Sequence, residues 1–204
     1  MDIKDFSQVT VILRGYSYEV VRNICFALKE TESIRNVEIT MNTPNVFETI
    51  QKISEEFKAD LNIGAGTVTT LDEAKKSIEG GAQFLLAPTV MDKAIMDFAK
   101  GHGVLTISGA YTPTEVFTAY QNGSDIIKIF PINSLALSYI KSIKAPLGNI
   151  PIMAVGGVNR ENAKALLSHG ADYLGVGGMF SKSALESNCL ATMINEGKAF
   201  EKEL

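Results

Sequence analysis

The chain reads as an α/β protein folded as a (β/α)8 barrel, and three observations predict that architecture. Short β-branched or aliphatic runs recur eight times, with starts roughly two dozen residues apart. The intervals between them carry apolar residues at helical spacing and are punctuated by glycine. Length agrees, because 204 residues lie near the short end of the range for this barrel. No stretch resembles a linker, so residues 1–204 are expected to form a single domain. An open doubly wound sheet permits the same alternation. Eight units of similar length, with paired glycines ending the last two strands, favour the closed form.

The strands are expected, in order, at Val9–Leu13, Val37–Thr40, Leu61–Gly64, Gln83–Leu86, Val104–Ile107, Ile126–Phe130, Ile150–Val155 and Tyr173–Val176. Each is short and rich in residues that suit a pleated, buried surface. Helical periodicity marks Val46–Phe57, Leu71–Ile78, Met91–Ala99, Pro113–Tyr120 and Arg160–Leu167. Thr70 and Asn159 are placed to cap the helices that follow them, and Gly80-Gly81, Gly123 and Gly170 to end others.

Composition narrows the function classes. Apolar content of 46% and charged content of 21% describe an ordinary globular protein. A net charge of −4 without any basic run argues against nucleic acid and anionic membrane as partners. The N-terminus lacks the layout of a signal peptide and no apolar run reaches membrane-spanning length. Cys25 and Cys189 show neither metal nor redox spacing, which suits free thiols in a reducing cytoplasm. The two histidines, His102 and His169, each precede a glycine where a helix should end. Capping explains both, so a histidine-rich metal centre is not expected.

The residue that stands out is Lys128, the single charge inside Ile126-Ile127-Lys128-Ile129-Phe130-Pro131. A strand apolar on both faces is normally buried beneath helices. An ammonium there is costly unless it is paired or loses its proton, and desolvation makes the neutral, nucleophilic amine available. A lysine whose head escapes at the strand end is the plain alternative. Alternation along the second strand puts Asn36, Glu38 and Thr40 on one face and Val37 and Ile39 on the other. The apolar pair should meet the helices, leaving Glu38 inside the barrel. The same rule sets Lys128 with Ile126 and Phe130, and Arg14 with Ile12. A carboxylate, an amine and a guanidinium should therefore converge, either as a structural ion pair or for acid–base chemistry.

Gly156-Gly157 after the seventh strand and Gly177-Gly178 after the eighth fall where such barrels often hold phosphate on backbone N–H groups. Plain turn chemistry is the competing explanation. Gly64-Ala65-Gly66-Thr67 lacks the further glycine of a dinucleotide fingerprint and is expected to offer Thr67 and bare N–H groups to a small ligand.

With Val37-Glu38-Ile39-Thr40, Gly64-Ala65-Gly66-Thr67-Val68, Ala87-Pro88, Lys128-Ile129-Phe130-Pro131 and Gly156-Gly157-Val158 in register, the chain resembles the class I pyruvate aldolases. These act on 2-keto-3-deoxy-6-phosphogluconate and 4-hydroxy-2-oxoglutarate. The resemblance implies a homotrimeric barrel with no metal or organic cofactor and a small-molecule substrate. It places the Schiff-base lysine at Lys128 and the general acid/base at Glu38. It suggests Thr67 for the pyruvate carboxylate and Gly156, Gly157, Gly177 and Gly178 for the phosphate end. Arg14, Pro88 and Phe130 complete the expected substrate-binding set.

Three positions depart from the family pattern. Asn42 stands where the phosphogluconate enzymes usually carry an arginine. Asn42-Thr43-Pro44, with Arg14-Gly15 and Tyr139-Ile140-Lys141, looks more like the branch that cleaves 2-keto-3-deoxy-6-phosphogalactonate. Met179 stands where a phosphate-loop serine is frequent, and Ser108 where proline is common. The reading that emerges is cleavage of the phosphogluconate acid to pyruvate and glyceraldehyde 3-phosphate, with 4-hydroxy-2-oxoglutarate as a further substrate and the galactonate epimer as the alternative. A sugar-phosphate isomerase or synthase without an imine, or a phosphometabolite-binding protein, are the rivals.

Overall fold

The structure, a computed structural model, describes all residues 1–204. Eight parallel strands close on themselves in sequence order: β1 Val9–Leu13, β2 Asn36–Thr40, β3 Asn62–Gly66, β4 Phe84–Leu86, β5 Leu105–Ala110, β6 Ile126–Ile129, β7 Ile152–Val155 and β8 Tyr173–Val176. β1 pairs with both β2 and β8, so the sheet has no free edge and the open alternative is excluded. Helices α1 Tyr18–Lys29, α2 Val46–Phe57, α3 Leu71–Glu79, α4 Lys93–Gly101, α5 Pro113–Gln121, α6 Tyr139–Leu147 and α7 Arg160–Ser168 follow the first seven strands.

Two cores result from the alternation of side chains. Val37, Ile39, Ile127 and Ile129 point outward into the larger layer between strands and helices. Ile12, Phe84, Leu86, Leu105, Ile107, Ile126, Met153 and Val155 fill the pore. Phe6, held by a 3-10 turn at Ile3–Asp5, plugs the N-terminal mouth edge-on against Phe84, ring centroids 5.1 Å apart. The floor is thus packed, and space remains only where the strands end.

The helix ends obey the chemistry in the sequence. Thr70 with Glu73, Thr112 with Glu115, and Asn159 with Asn162 each form reciprocal capping boxes. His102 and His169 occupy C-cap positions, each Nδ1 lying 2.8 Å from a carbonyl one turn back.

Several boundaries move. β7 starts at Ile152 because Pro151 has no N–H for the ladder, although its carbonyl still accepts from Ile127. β5 runs on through Ser108-Gly109-Ala110, three residues past the end expected at Ile107. A Cβ on Gly109 would lie 2.3 Å from the Pro88 carbonyl group, so the ladder continues because that position is bare. Ser108 donates its N–H to Ser124 Oγ, 3.0 Å away, a bond that proline could not make. The eighth unit carries two helices rather than one, α8 Lys182–Glu186 and α9 Leu190–Glu201, divided near Asn188 in the left-handed region (φ 48°). α9 packs on α1, and its Glu201 carboxylate accepts from the Glu32 N–H at 2.9 Å, tying the end of the chain to the loop before β2.

Candidate active site

At the C-terminal ends of the strands lies a cavity of about 750 Å³, within the usual range for a small-molecule site. Arg14, Thr67, Pro88, Lys128, Phe130, Gly156, Gly157, Gly177 and Gly178 all line it. Six strands and the loops after them therefore deliver the predicted binding residues to one place. Glu38 lies beneath that lining, 1% exposed on the inner face of β2. Ile12, Val155, Val158, Asn159 and Gly175 also line the cavity. The sequence assigned none of these to the site, although their position on or just after inward-facing strand residues was the available signal.

Only Arg14 and Lys128 carry charge among the lining side chains. Lys128 is 6% exposed, and its Nζ sits 4.9 Å from the centre of the Phe130 ring. No ion pair within 4.0 Å involves it. Burial pushes its pKa down, the Glu38 carboxylate opposes that shift, and the Arg14 guanidinium reinforces it. Burial also pushes the Glu38 carboxyl up, against the pull of Lys128 and Arg14. Glu38 Oε2 is buried without a hydrogen-bond partner. A buried carboxylate oxygen is seldom left without a partner.

Gly66 explains how Glu38 fits. A Cβ built there would fall 1.7 Å from Glu38 Oε1, so the carboxylate occupies the space that any side chain at 66 would fill. Gly64 does the same for the ring of Phe84. Both glycines belong to β3, which corrects the expectation that Gly64-Ala65-Gly66 forms a ligand-facing loop of bare N–H groups. Thr67, immediately after, does line the cavity, and it holds φ at 59°. That is an uncommon conformation for a β-branched residue and costs on the order of 1–3 kcal/mol.

The two glycine pairs differ in physical origin. Gly156 and Gly157 adopt φ of 106° and 70°, and a Cβ on either would press on Pro131 or Asn133. Turn conformation and close packing both call for glycine at those two positions, which also line the cavity. Gly177 and Gly178 have no positive φ and nothing within 4 Å of a hypothetical Cβ. Neither backbone conformation nor packing calls for glycine there, and both positions open onto the cavity. Asn159 closes this end with its side chain committed to the cap of α7, leaving first-turn N–H groups near the cavity. Ser181, the next serine after Met179, is engaged in capping α8 through Ala184.

The chain matches the KDPG and KHG aldolase family over residues 4–195. A probable 2-dehydro-3-deoxy-6-phosphogalactonate aldolase from Rhizobium meliloti is 33% identical over 86% of this chain and 82% of its own. The chain belongs to the KDPG and KHG aldolase family. The 2-dehydro-3-deoxy-6-phosphogalactonate aldolase of Escherichia coli is 34% identical over 69% of each chain. A solved native KDPGal structure superposes with a TM-score of 0.89 at 28% identity, covering 100% of this chain and 97% of that one. The activity class is accordingly that of an aldolase, a carbon–carbon lyase.

Proposed function

We propose that the chain cleaves a 2-keto-3-deoxy-6-phospho sugar acid to pyruvate and glyceraldehyde 3-phosphate through an imine on Lys128. The observation that carries this reading is a desolvated amine and an unpartnered buried carboxylate beside one cavity, with no ion pair between them. The neutral Lys128 amine attacks the C2 ketone, and the carbonyl oxygen leaves as water. Glu38, a stronger proton acceptor because burial raises its pKa, takes the C4 hydroxyl proton. The C3–C4 bond breaks, its electrons pass to the imine, and glyceraldehyde 3-phosphate departs as the aldehyde. Protonation of the enamine at C3 and hydrolysis release pyruvate and restore Lys128. Thr67 and Arg14 hold anionic ends of the substrate, Pro88 and Phe130 wall the keto-acid end, and Gly177 and Gly178 give the phosphate room.

Between the epimers, the galactonate acid is the favoured substrate. The relatives at 33% and 34% identity carry that activity in their names, and Asn42 in place of a second arginine agrees. The gluconate epimer and 4-hydroxy-2-oxoglutarate are the alternatives. Pyruvate release from all three, measured in parallel, should be fastest for the galactonate acid, and equal or reversed rates refute that preference. Pyruvate with borohydride should leave a reduced three-carbon adduct on Lys128 that Lys128→Arg abolishes. An active enzyme without that adduct refutes the imine. The exposed side chains of Tyr111, Phe117, Tyr120 and Leu137, on and around α5 and the loop before α6, suit a contact between copies of the chain, and the trimer is what the family resemblance implies. Unpaired Cys25 and Cys189 suit a cytoplasmic setting.

A further inference from the structure

Arg14 is the one permanent cation lining the cavity once Lys128 has lost its proton, yet it makes no ion pair. A buried carboxylate with an unpartnered oxygen, Glu38, is close enough for the guanidinium to act on its titration. Direct pairing of the two would satisfy both groups and remove the base from the reaction. Something must hold them apart.

The restraint is visible. Arg14 Nη1 donates to Asn42 Oδ1 at 2.9 Å, and the same oxygen accepts from Thr40 Oγ1 at 2.7 Å. Thr40 is fully buried on the inner face of β2, two residues beyond Glu38, so the strand that presents the carboxylate also anchors the amide. A second tie runs beside the first, where the Gly15 N–H donates to Thr43 Oγ1 at 3.0 Å. The ends of β1 and β2 are stitched together at the rim, with Asn42 gripping the guanidinium from outside the pore.

We propose that Asn42 is a positioning residue that holds Arg14 as an unneutralised cation at the cavity rim, away from Glu38. The inference rests on the imine mechanism above. An amide suits the task because it fixes a guanidinium without cancelling its charge, whereas a carboxylate would cancel it. The charged groups acting on Lys128 are Glu38 from β2 and Arg14 from β1, with opposite signs. Burial is the largest influence on the amine and Glu38 the next, and the position of Arg14 adjusts the pH at which the amine becomes free.

The test is the pH dependence of pyruvate trapping on Lys128 with cyanoborohydride, read as the mass of the intact protein, for the native chain and for two variants. In Asn42→Asp the new carboxylate pairs with Arg14, its charge no longer opposes the ammonium, and the trapping midpoint should rise by roughly one pH unit. In Asn42→Ala the guanidinium is released toward Glu38 and masks the carboxylate that favoured the ammonium. The midpoint should then fall by a similar amount. Opposite shifts support the inference whatever happens to the thermal midpoint of unfolding, since a merely structural asparagine would change that midpoint without moving the trapping pH in opposite directions. Shifts of one sign, or none, with the native protein trapped normally, overturn the inference alone. A native protein that traps no pyruvate at Lys128 overturns the imine mechanism and the inference together.

Discussion

Gly66→Ala is the smallest change that should disable the enzyme without touching a reacting group. The added Cβ would sit 1.7 Å from Glu38 Oε1 and 2.3 Å from its Cδ. Carbon–oxygen contacts below 3.0 Å are essentially never seen, so the carboxylate must retreat by more than about 1 Å. The barrel offers little room, because Gly66 is in register with Thr40 on one side and Leu86 on the other. Overpacking of this kind costs about 1–3 kcal/mol of stability. Displacing the proton acceptor by that distance should lower kcat by roughly 10²-fold or more. Imine formation by Lys128 needs no contribution from the displaced oxygen, so borohydride trapping of pyruvate should persist. The matched control is Gly101→Ala, at the end of α4, where a new Cβ meets nothing within 4 Å. That variant should keep full activity and gain up to about 1 kcal/mol from helix propensity. Steady-state kinetics and thermal unfolding of both proteins decide the matter. A Gly66→Ala enzyme with a near-native kcat would mean that the location of Glu38 is not what the reaction uses.

Glu38→Gln should lower kcat by roughly 10²–10⁴ while leaving pyruvate trapping intact. Because the folded carboxyl titrates above its ordinary value of 4.5, the stability it contributes is complete below that value and is lost as pH rises through the folded pKa. The unfolding midpoint of Glu38→Gln should therefore gain on the native protein as pH increases above 4.5; a constant gap would refute the raised pKa. Phe130→Leu removes the ring 4.9 Å from Lys128 Nζ, an interaction that favours the ammonium by about 0.5–2 kcal/mol. The trapping midpoint should fall by roughly 0.4–1.5 pH units, and a rise would show that the ring does not stabilise the charged form.

Much of this was legible in the chain, for reasons that can be assigned. The period of two along β2 and β6 put Glu38 and Lys128 on the inner face, because the apolar alternates, Val37 with Ile39 and Ile127 with Ile129, had only one layer to enter. Capping was local chemistry, so Thr70 and Asn159 could be placed from their neighbours three residues on. The illegible parts depended on contacts distant in sequence. Nothing near Gly66 says that its missing side chain makes way for a carboxylate from residue 38. The expected fifth strand stopped short of Gly109 because the contact that makes a bare position useful there comes from Pro88 across the barrel. The division of the eighth unit into α8 and α9 was hidden as well, since it rests on one left-handed asparagine and on a docking partner, α1, at the other end of the chain.

The same pore shows why an aldolase of this kind must be less stable than its fold allows. Glu38, Lys128 and Arg14 influence one another's surroundings, yet none of them closes an ion pair with another. Pairing Lys128 with Glu38 would repay part of the desolvation of both, but it would fix the proton on the amine and end its nucleophilicity. Filling the pore with apolar side chains would remove the cost altogether, as the floor of Phe6, Phe84 and Leu105 demonstrates in the same barrel. The chain instead confines the expense to positions in the C-terminal half of its strands and just beyond them. Below them the core is packed and the register is set by eight continuous ladders. Function is located where the packing stops, and the bare Gly66 is the seam between the two regimes.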